Sequence, residues 1–231
     1  MSPHALVFGA GGALGTAIHA KLAADGFQVF TAGSQSKANQ QQHIQLQYDQ
    51  PLSVDTFSAL PDIESVVWAQ GLNCSDTISD FEPSNLEKLW QANVVFIASS
   101  LSSLLAINKI QPGSRLVIVS SIWQLETRPG KLSYTISKSA LQGLVKSCAL
   151  DLGERGILIN AVLPGVVDTP MTRYHLSDDQ IATITSQTAL RRLPEPTDIA
   201  ETVAFLVSRS NRAITGQFLT VDGGFIGFKH S

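Results

Sequence analysis

The stretch Ala5-Leu6-Val7-Phe8-Gly9-Ala10-Gly11-Gly12-Ala13-Leu14-Gly15 decides the fold. Four consecutive apolar residues with no polar alternation read as a short strand covered on both faces. Glycines interrupt it, and Thr16 to Ala24 then reads as a helix, with Ala17, Ala20, Ala23 and Ala24 available for close packing. A strand, a glycine loop and a helix in that order make a cradle for a pyrophosphate. Backbone N–H groups face the anion with no side chain in the way, and the helix dipole adds its positive end. Gly9 permits the tight turn, Gly11 and Gly12 allow close approach, and Gly15 lets the helix pack on the strand. With Ala13 and Leu14 these residues form the expected phosphate loop of a dinucleotide site.

Outward from that loop, short apolar runs alternate with longer segments of helical period. Gln28 to Ala32, Ser65 to Ala69, Arg115 to Ser120, Leu158 to Leu163 and Gln217 to Val221 read as strands. Leu86 to Ile107 reads as one long helix, Ser133 to Gly153 as a second, and Thr197 to Ser208 as a third. Their alternation predicts an α/β fold, a doubly wound parallel sheet of the Rossmann type with helices on both faces. The polar segment Gln35 to Gln47 is the single candidate linker. It falls inside one nucleotide-binding unit, so it reads as a surface loop or frayed helix, and residues 1–231 as one domain.

The bulk numbers agree with that picture. With 44% hydrophobic and 15% charged residues, the 231-residue chain has ample material for a core and no compositional sign of disorder. The net charge of -3 is spread along the chain, and without a basic cluster no nucleic-acid partner is expected. Cys74 and Cys148 fit neither a disulfide framework nor metal-ligand spacing, and the five histidines are scattered, so no metal is expected. The N-terminus lacks a basic stretch before its first apolar segment, and no apolar run reaches bilayer length. A cytoplasmic protein without membrane attachment follows as the expectation.

The end of the second strand should read the adenosine ribose. An acidic residue there binds the 2′-hydroxyl of NAD and repels the 2′-phosphate of NADP. The segment Thr31-Ala32-Gly33-Ser34-Gln35-Ser36-Lys37 has no carboxylate, while Ser34, Ser36 and Lys37 can bond and neutralise a phosphate. NADP(H) is therefore favoured over NAD(H). Asp49 is positioned for the adenine amino group, or else caps a following helix.

Tyr134 and Lys138 are four apart at helical spacing, one turn from each other on one face. A tyrosine releases its proton near pH 10. A neighbouring ammonium and a cationic nicotinamide favour the phenolate, which would lower that value and suit the phenol to proton transfer during hydride transfer. Ser121 follows the strand ending at Ser120, thirteen positions before Tyr134, where its hydroxyl can hold a substrate oxygen. Asn93 sits within a long helix that it disfavours, which suggests a polar role such as holding a water. Asn160-Ala161-Val162-Leu163-Pro164-Gly165 leads into Val166-Val167-Asp168-Thr169-Pro170-Met171, a strand running into a loop at the cofactor edge.

Together these motifs resemble the short-chain dehydrogenase/reductase family, and within it the 3-oxoacyl-(acyl-carrier-protein) reductase-like members. The resemblance runs from Gly9 through Thr215-Gly216-Gln217 to Val221-Asp222-Gly223-Gly224. It implies Tyr134 as general acid/base, Ser121 as the group orienting the carbonyl oxygen, and Lys138 as ribose ligand and modulator of the tyrosine. Asn93 carries a water relay, and Val166 to Thr169 hold the nicotinamide carboxamide. Implied cofactor contacts therefore include Gly33, Ser34, Asp49, Ala69, Gln70, Gly71, Pro164, Gly165, Val167 and Thr169, besides the phosphate loop. Three departures stand out. Ala13 replaces the family's middle loop glycine, Ala69-Gln70-Gly71 replaces its usual Asn-Ala-Gly, and the region before Gly71 is shortened.

Thr169 to about Ala189 should fold over a small carbonyl or alcohol substrate. Met171, Tyr174, His175 and Leu176 are candidate linings, as are Trp123 and Gln124, although His175 reads more simply as an exposed loop histidine. The resemblance also implies a homo-oligomer, a tetramer or dimer built on the two long central helices. The rival reading is a dinucleotide-binding sensor without turnover.

Overall fold

A computed structural model describes residues 2–34, 42–53 and 55–227. Seven parallel strands form one sheet: β1 (His4–Phe8), β2 (Gln28–Gly33), β3 (His43–Gln45), β4 (Ile63–Trp68), β5 (Ile110–Val119), β6 (Leu158–Pro164) and β7 (Phe218–Val221), in the order β3-β2-β1-β4-β5-β6-β7. The helices are α1 (Ala13–Ala24), α2 (Pro83–Trp90), α3 (Phe96–Ala106), α4 (Leu132–Gly153), α5 (Pro170–His175), α6 (Asp178–Gln187) and α7 (Pro196–Val207). The doubly wound sheet expected from the sequence is the one observed.

Alternate residues of a strand feed different cores, as the pleat requires. From β1, Leu6 and Phe8 join Trp68, Leu116, Ile118 and Ile159 beneath α3 and α4, where Phe96, Leu104, Leu141 and Val145 cover them. Ala5 and Val7 point the other way and join Val67, Val117 and Val162, covered by Ile18 and Leu22 of α1 and by Ile199 and Val203 of α7. Phe8 anchors the first layer, stacked on Trp68 at 5.7 Å and edge-on to Phe57 and Phe96. Each such buried side chain contributes roughly 1.5–3 kcal/mol. Because the chain leaves β1 toward β2 on one side and returns as β4 on the other, a crevice opens at the carboxyl ends of β1 and β4, where open α/β sheets bind ligands.

Several element boundaries differ from the sequence reading, and β5 begins at Ile110 instead of Arg115. The polar segment assigned as loop or frayed helix contains β3, a three-residue edge strand pairing Thr31 with His43. Helix α1 starts at Ala13 instead of Thr16, directly on the glycine loop. The single helix expected over Leu86 to Ile107 is three segments, α2, a π-helical turn at Gln91–Val95, and α3, and the Phe96 N–H bonds the Gln91 carbonyl five residues back. By length and composition alone the stretch Pro83–Ala106 is long and apolar enough to cross a membrane, a test that a buried core helix also passes. Its Phe96, Ile97, Leu101 and Leu104 are spent on the sheet.

Candidate active site

The crevice is a cleft of about 760 Å³. Gly12, Ala13 and Leu14 line it, as do Ala69, Gly71, Ser121, Tyr134, Pro164, Gly165, Val167 and Thr169. Residues from four strand ends and the first turn of α4, from Gly12 to Thr169 in the chain, thus converge on one cleft.

Steric constraints fix the glycine loop. Gly9 has φ +77, and a Cβ there would lie 2.6 Å from the Gln70 nitrogen. A Cβ on Gly15 would lie 2.1 Å from the Gly9 carbonyl oxygen, so only glycine lets α1 sit this close to the turn. Helix α1 has no side-chain cap and no acidic residue in its first turn. Its first N–H groups therefore remain available to an anion. A loop that excludes side chains beside an uncapped, acid-free helix start fits a dinucleotide pyrophosphate.

The catalytic candidates lie along the neighbouring wall. Ser121 is buried and follows β5, its hydroxyl accepting the Trp123 N–H at 3.3 Å. Tyr134 lies in the first turn of α4 and Lys138 one turn on, with Lys138 Nζ 5.7 Å from the centre of the tyrosine ring. The Lys138 ammonium donates to the Val119 carbonyl at 3.3 Å. Burial pushes Lys138 down to about 8. Burial pushes Tyr134 up to about 12, with a hydrogen bond from Ser121 acting in the opposite direction. The expected lowering of the phenol is therefore not achieved by the protein groups alone, because desolvation outweighs them.

Asn93 is fully buried in the π turn. Its Oδ1 accepts the Leu72 N–H at 2.8 Å, and its Nδ2 donates to the Leu72 carbonyl at 2.9 Å and to Ser137 Oγ at 3.0 Å. Both amide hydrogens are committed, so the side chain ties the loop after β4 to α4 and keeps one acceptor lone pair free. The π turn supplies the local distortion that aims it, a common feature of functional helices. Gly71 lies over this pair, since a Cβ there would be 3.4 Å from Asn93 Oδ1 and 3.5 Å from Lys138 Nζ.

Other sequence expectations are redistributed. Gly33 offers no open approach, because a Cβ there would be 2.6 Å from the Tyr48 hydroxyl. Ser34 and Asp49 are exposed beyond β2 and β3, whereas Ser36 and Lys37 lie outside the described residues. Gln70 is 5% exposed, and neither atom of its carboxamide has a hydrogen-bond partner among the described residues. Of the proposed substrate linings, Trp123, Met171, Leu176 and the exposed His175 reach the cleft. Tyr174 does not line it and is 85% exposed, and Gln124 is buried beneath the wall.

Three residues were missed. Asp76 is buried and accepts the Ser133 N–H at 3.1 Å and the Ser133 hydroxyl, capping α4 from the loop after β4. Lys131, at the start of α4, lines the cleft together with Arg128. Its spacing of three from Tyr134, the same rule that singled out Lys138, would have found it.

Comparisons with known proteins agree with this geometry. Residues 55–226 match the family described as enoyl-(acyl carrier protein) reductase. The chain is 28% identical to a 3-oxoacyl-(acyl-carrier-protein) reductase of Staphylococcus epidermidis, over 97% of this chain and 99% of that one. It is 33% identical to a cyclopentanol dehydrogenase of Comamonas, over 75% of this chain and 70% of that one. Among solved structures, a blue fluorescent protein from a metagenomic library in complex with NADPH superposes with a TM-score of 0.87 at 27% identity, over 97% of this chain and 98% of that one. The chain belongs to the short-chain dehydrogenase/reductase family of NAD(P)-dependent oxidoreductases.

Proposed function

We propose that this oxidoreductase interconverts a small carbonyl compound and its secondary alcohol, with Tyr134 as general acid/base. The observation that carries the reading is the meeting of Ser121 and Tyr134 in one cleft with the glycine loop, with Lys138 beside the tyrosine ring. A bound dihydronicotinamide supplies the hydride to the carbonyl carbon. As the C=O π pair moves onto oxygen, Tyr134 gives that oxygen its phenolic proton, and Ser121 holds the oxygen by a hydrogen bond. Lys138 stabilises the phenolate that results, and solvent returns the proton. In the oxidative direction each transfer reverses. Asn93 keeps the loop over Lys138 in place and offers its free lone pair to a relay water.

Ala69, Gly71, Pro164, Gly165, Val167 and Thr169 are the proposed walls of the nicotinamide half. NADP(H) is the favoured cofactor, because Ser34 follows β2 with no carboxylate among the described residues there. NADPH should bind more tightly than NADH, and equal or reversed affinities defeat that preference. We also propose a homo-oligomer, supported by the exposed Trp90, Ile136 and Leu150 on the central helices. A cytoplasmic setting is supported by the free thiols of Cys74 and Cys148.

The direct test is loss of NADPH or NADH absorbance with a panel of ketones, aldehydes and 3-oxo esters. Consumption with at least one of them supports the enzyme reading. Clear cofactor binding with no consumption by any of them would favour a sensor.

A further inference from the structure

The wall between Ser121 and Tyr134 carries two cations that hydride transfer does not require. Lys131 immediately precedes α4, three residues before Tyr134, and is only 7% exposed. Its Nζ donates to Asn73 Oδ1 at 2.9 Å and to the Cys74 carbonyl at 3.1 Å, both neutral acceptors, and lies 5.7 Å from the centre of the Tyr134 ring. One ammonium hydrogen remains uncommitted. Among the described residues no carboxylate stands at ion-pair distance from Lys131. Asp76 acts on it only at longer range, its oxygens being taken by Ser133. Arg128 is exposed, and its guanidinium sits over the Trp123 ring at 5.7 Å. Burial first, and then the charge of Arg128, pull the Lys131 pKa down.

Both cations line the cleft with Ser121 and Tyr134, and among the described residues no Asp or Glu lines it. A nearly buried ammonium with no direct ion-pair partner among the described residues, and with a second cation acting on it from the same wall, is an unfavourable arrangement on its own. An anion seated between them relieves both the desolvation and the repulsion. The dinucleotide phosphates belong to a different part of the cleft, at Gly12 to Leu14 and the start of α1. Lys131 and Arg128 lie on the segment joining Ser121 to Tyr134, where the reacting carbonyl is held.

We propose that the substrate is an oxo acid, or in reverse its hydroxy acid, whose carboxylate is bound by Lys131 and Arg128 while its carbonyl oxygen faces Tyr134 and Ser121. Trp123 holds the guanidinium in position by stacking. The assignment rests on the oxidoreductase reading of the same cleft, which it narrows to a substrate class.

The test is calorimetric titration of the full chain saturated with NADP⁺, or with NAD⁺ if that binds more tightly. The probes are pyruvate, acetoacetate and levulinate, each paired with its methyl ester. The oxidised cofactor cannot reduce them, so binding is read without turnover. At least one acid should bind about tenfold or more tightly than its ester, the worth of one charge-assisted contact. Lys131→Gln and Arg128→Gln should each bring that ratio toward one, and Lys131→Arg should keep it. Arg128 is exposed, so its variant serves even if Lys131→Gln fails to fold. Equal binding of acid and ester, binding of neither in every pair, or a ratio that survives in the folded Gln variants overturns the proposal. A ratio that holds while NADPH reduces none of the acids supports the anion site and counts against the oxidoreductase reading instead.

Discussion

The carboxylate of Asp76 accepts the Ser133 backbone N–H at 3.1 Å, so the loop following β4 caps the helix that carries Tyr134. The same carboxylate takes the Ser133 hydroxyl, and the neighbouring Asn93 bonds Leu72 and Ser137. Two side chains thus fasten one loop to α4, one on each side of Tyr134. The loop after β4 and the first turns of α4 are thereby tied together.

Asp76→Ala should lower the unfolding free energy by about 1–3 kcal/mol, because it removes a cap and leaves buried donors unpaired. Urea denaturation measures the loss. Turnover should fall with it while Asp76→Asn, which keeps an acceptor, stays in between. An unchanged midpoint and unchanged kcat would remove Asp76 from the framework.

Gly15→Ala should cost roughly 1–3 kcal/mol, since the added methyl collides with backbone rather than with a flexible side chain. Moving α1 outward also displaces the N–H groups of its first turn. Dinucleotide affinity should therefore drop more than global stability does, as read by fluorescence titration against a denaturation curve. Full retention of affinity contradicts the cradle.

Lys138 gives stability a specific pH dependence. Its folded value of about 8 lies below the ordinary 10.5, so between those pH values the unfolded chain binds more protons. The penalty for burying the ammonium is complete below pH 8 and fades as the pH rises. Wild type should gain stability relative to Lys138→Met between pH 8 and pH 10. Above pH 10 the sign reverses for Tyr134, whose folded phenol keeps its proton up to about 12. A wild-type minus Lys138→Met difference that is flat between pH 8 and pH 10 would contradict the buried ammonium.

Gln70→Met should stabilise the cofactor-free protein by about 1 kcal/mol, because a buried carboxamide without partners is replaced by an apolar side chain of similar size. Thermal melting checks the direction. A lower melting temperature would mean that the carboxamide is satisfied in solution.

Much of the architecture was legible because parallel strands covered on both faces leave continuous apolar runs, as in Ala5 to Phe8 and Leu158 to Leu163. β3 escaped because three residues at a sheet edge, His43 to Gln45, need only backbone pairing and carry no apolar run. The π turn escaped because one extra residue in a helix barely alters its periodicity, and only the misfit Asn93 hinted at it. The nearness of Tyr134, Lys138 and Ser121 to one another was legible from fixed spacing along one strand and one helix. Asp76 and Arg128 act through tertiary contact, so their spacing carries little signal. The phenol's upward shift was also hidden, since burial cannot be read from its helical neighbours.

The central claim is that Tyr134 transfers the proton. Its most direct test is a comparison of wild type and Tyr134→Phe with the best carbonyl substrate, with dinucleotide affinity measured on the same preparations. Removing the hydroxyl should cut kcat by about a thousandfold, within the range of general acid–base catalysis, while cofactor affinity changes by less than about threefold, under 1 kcal/mol. A phenylalanine variant that still turns over near the wild-type rate would contradict the account.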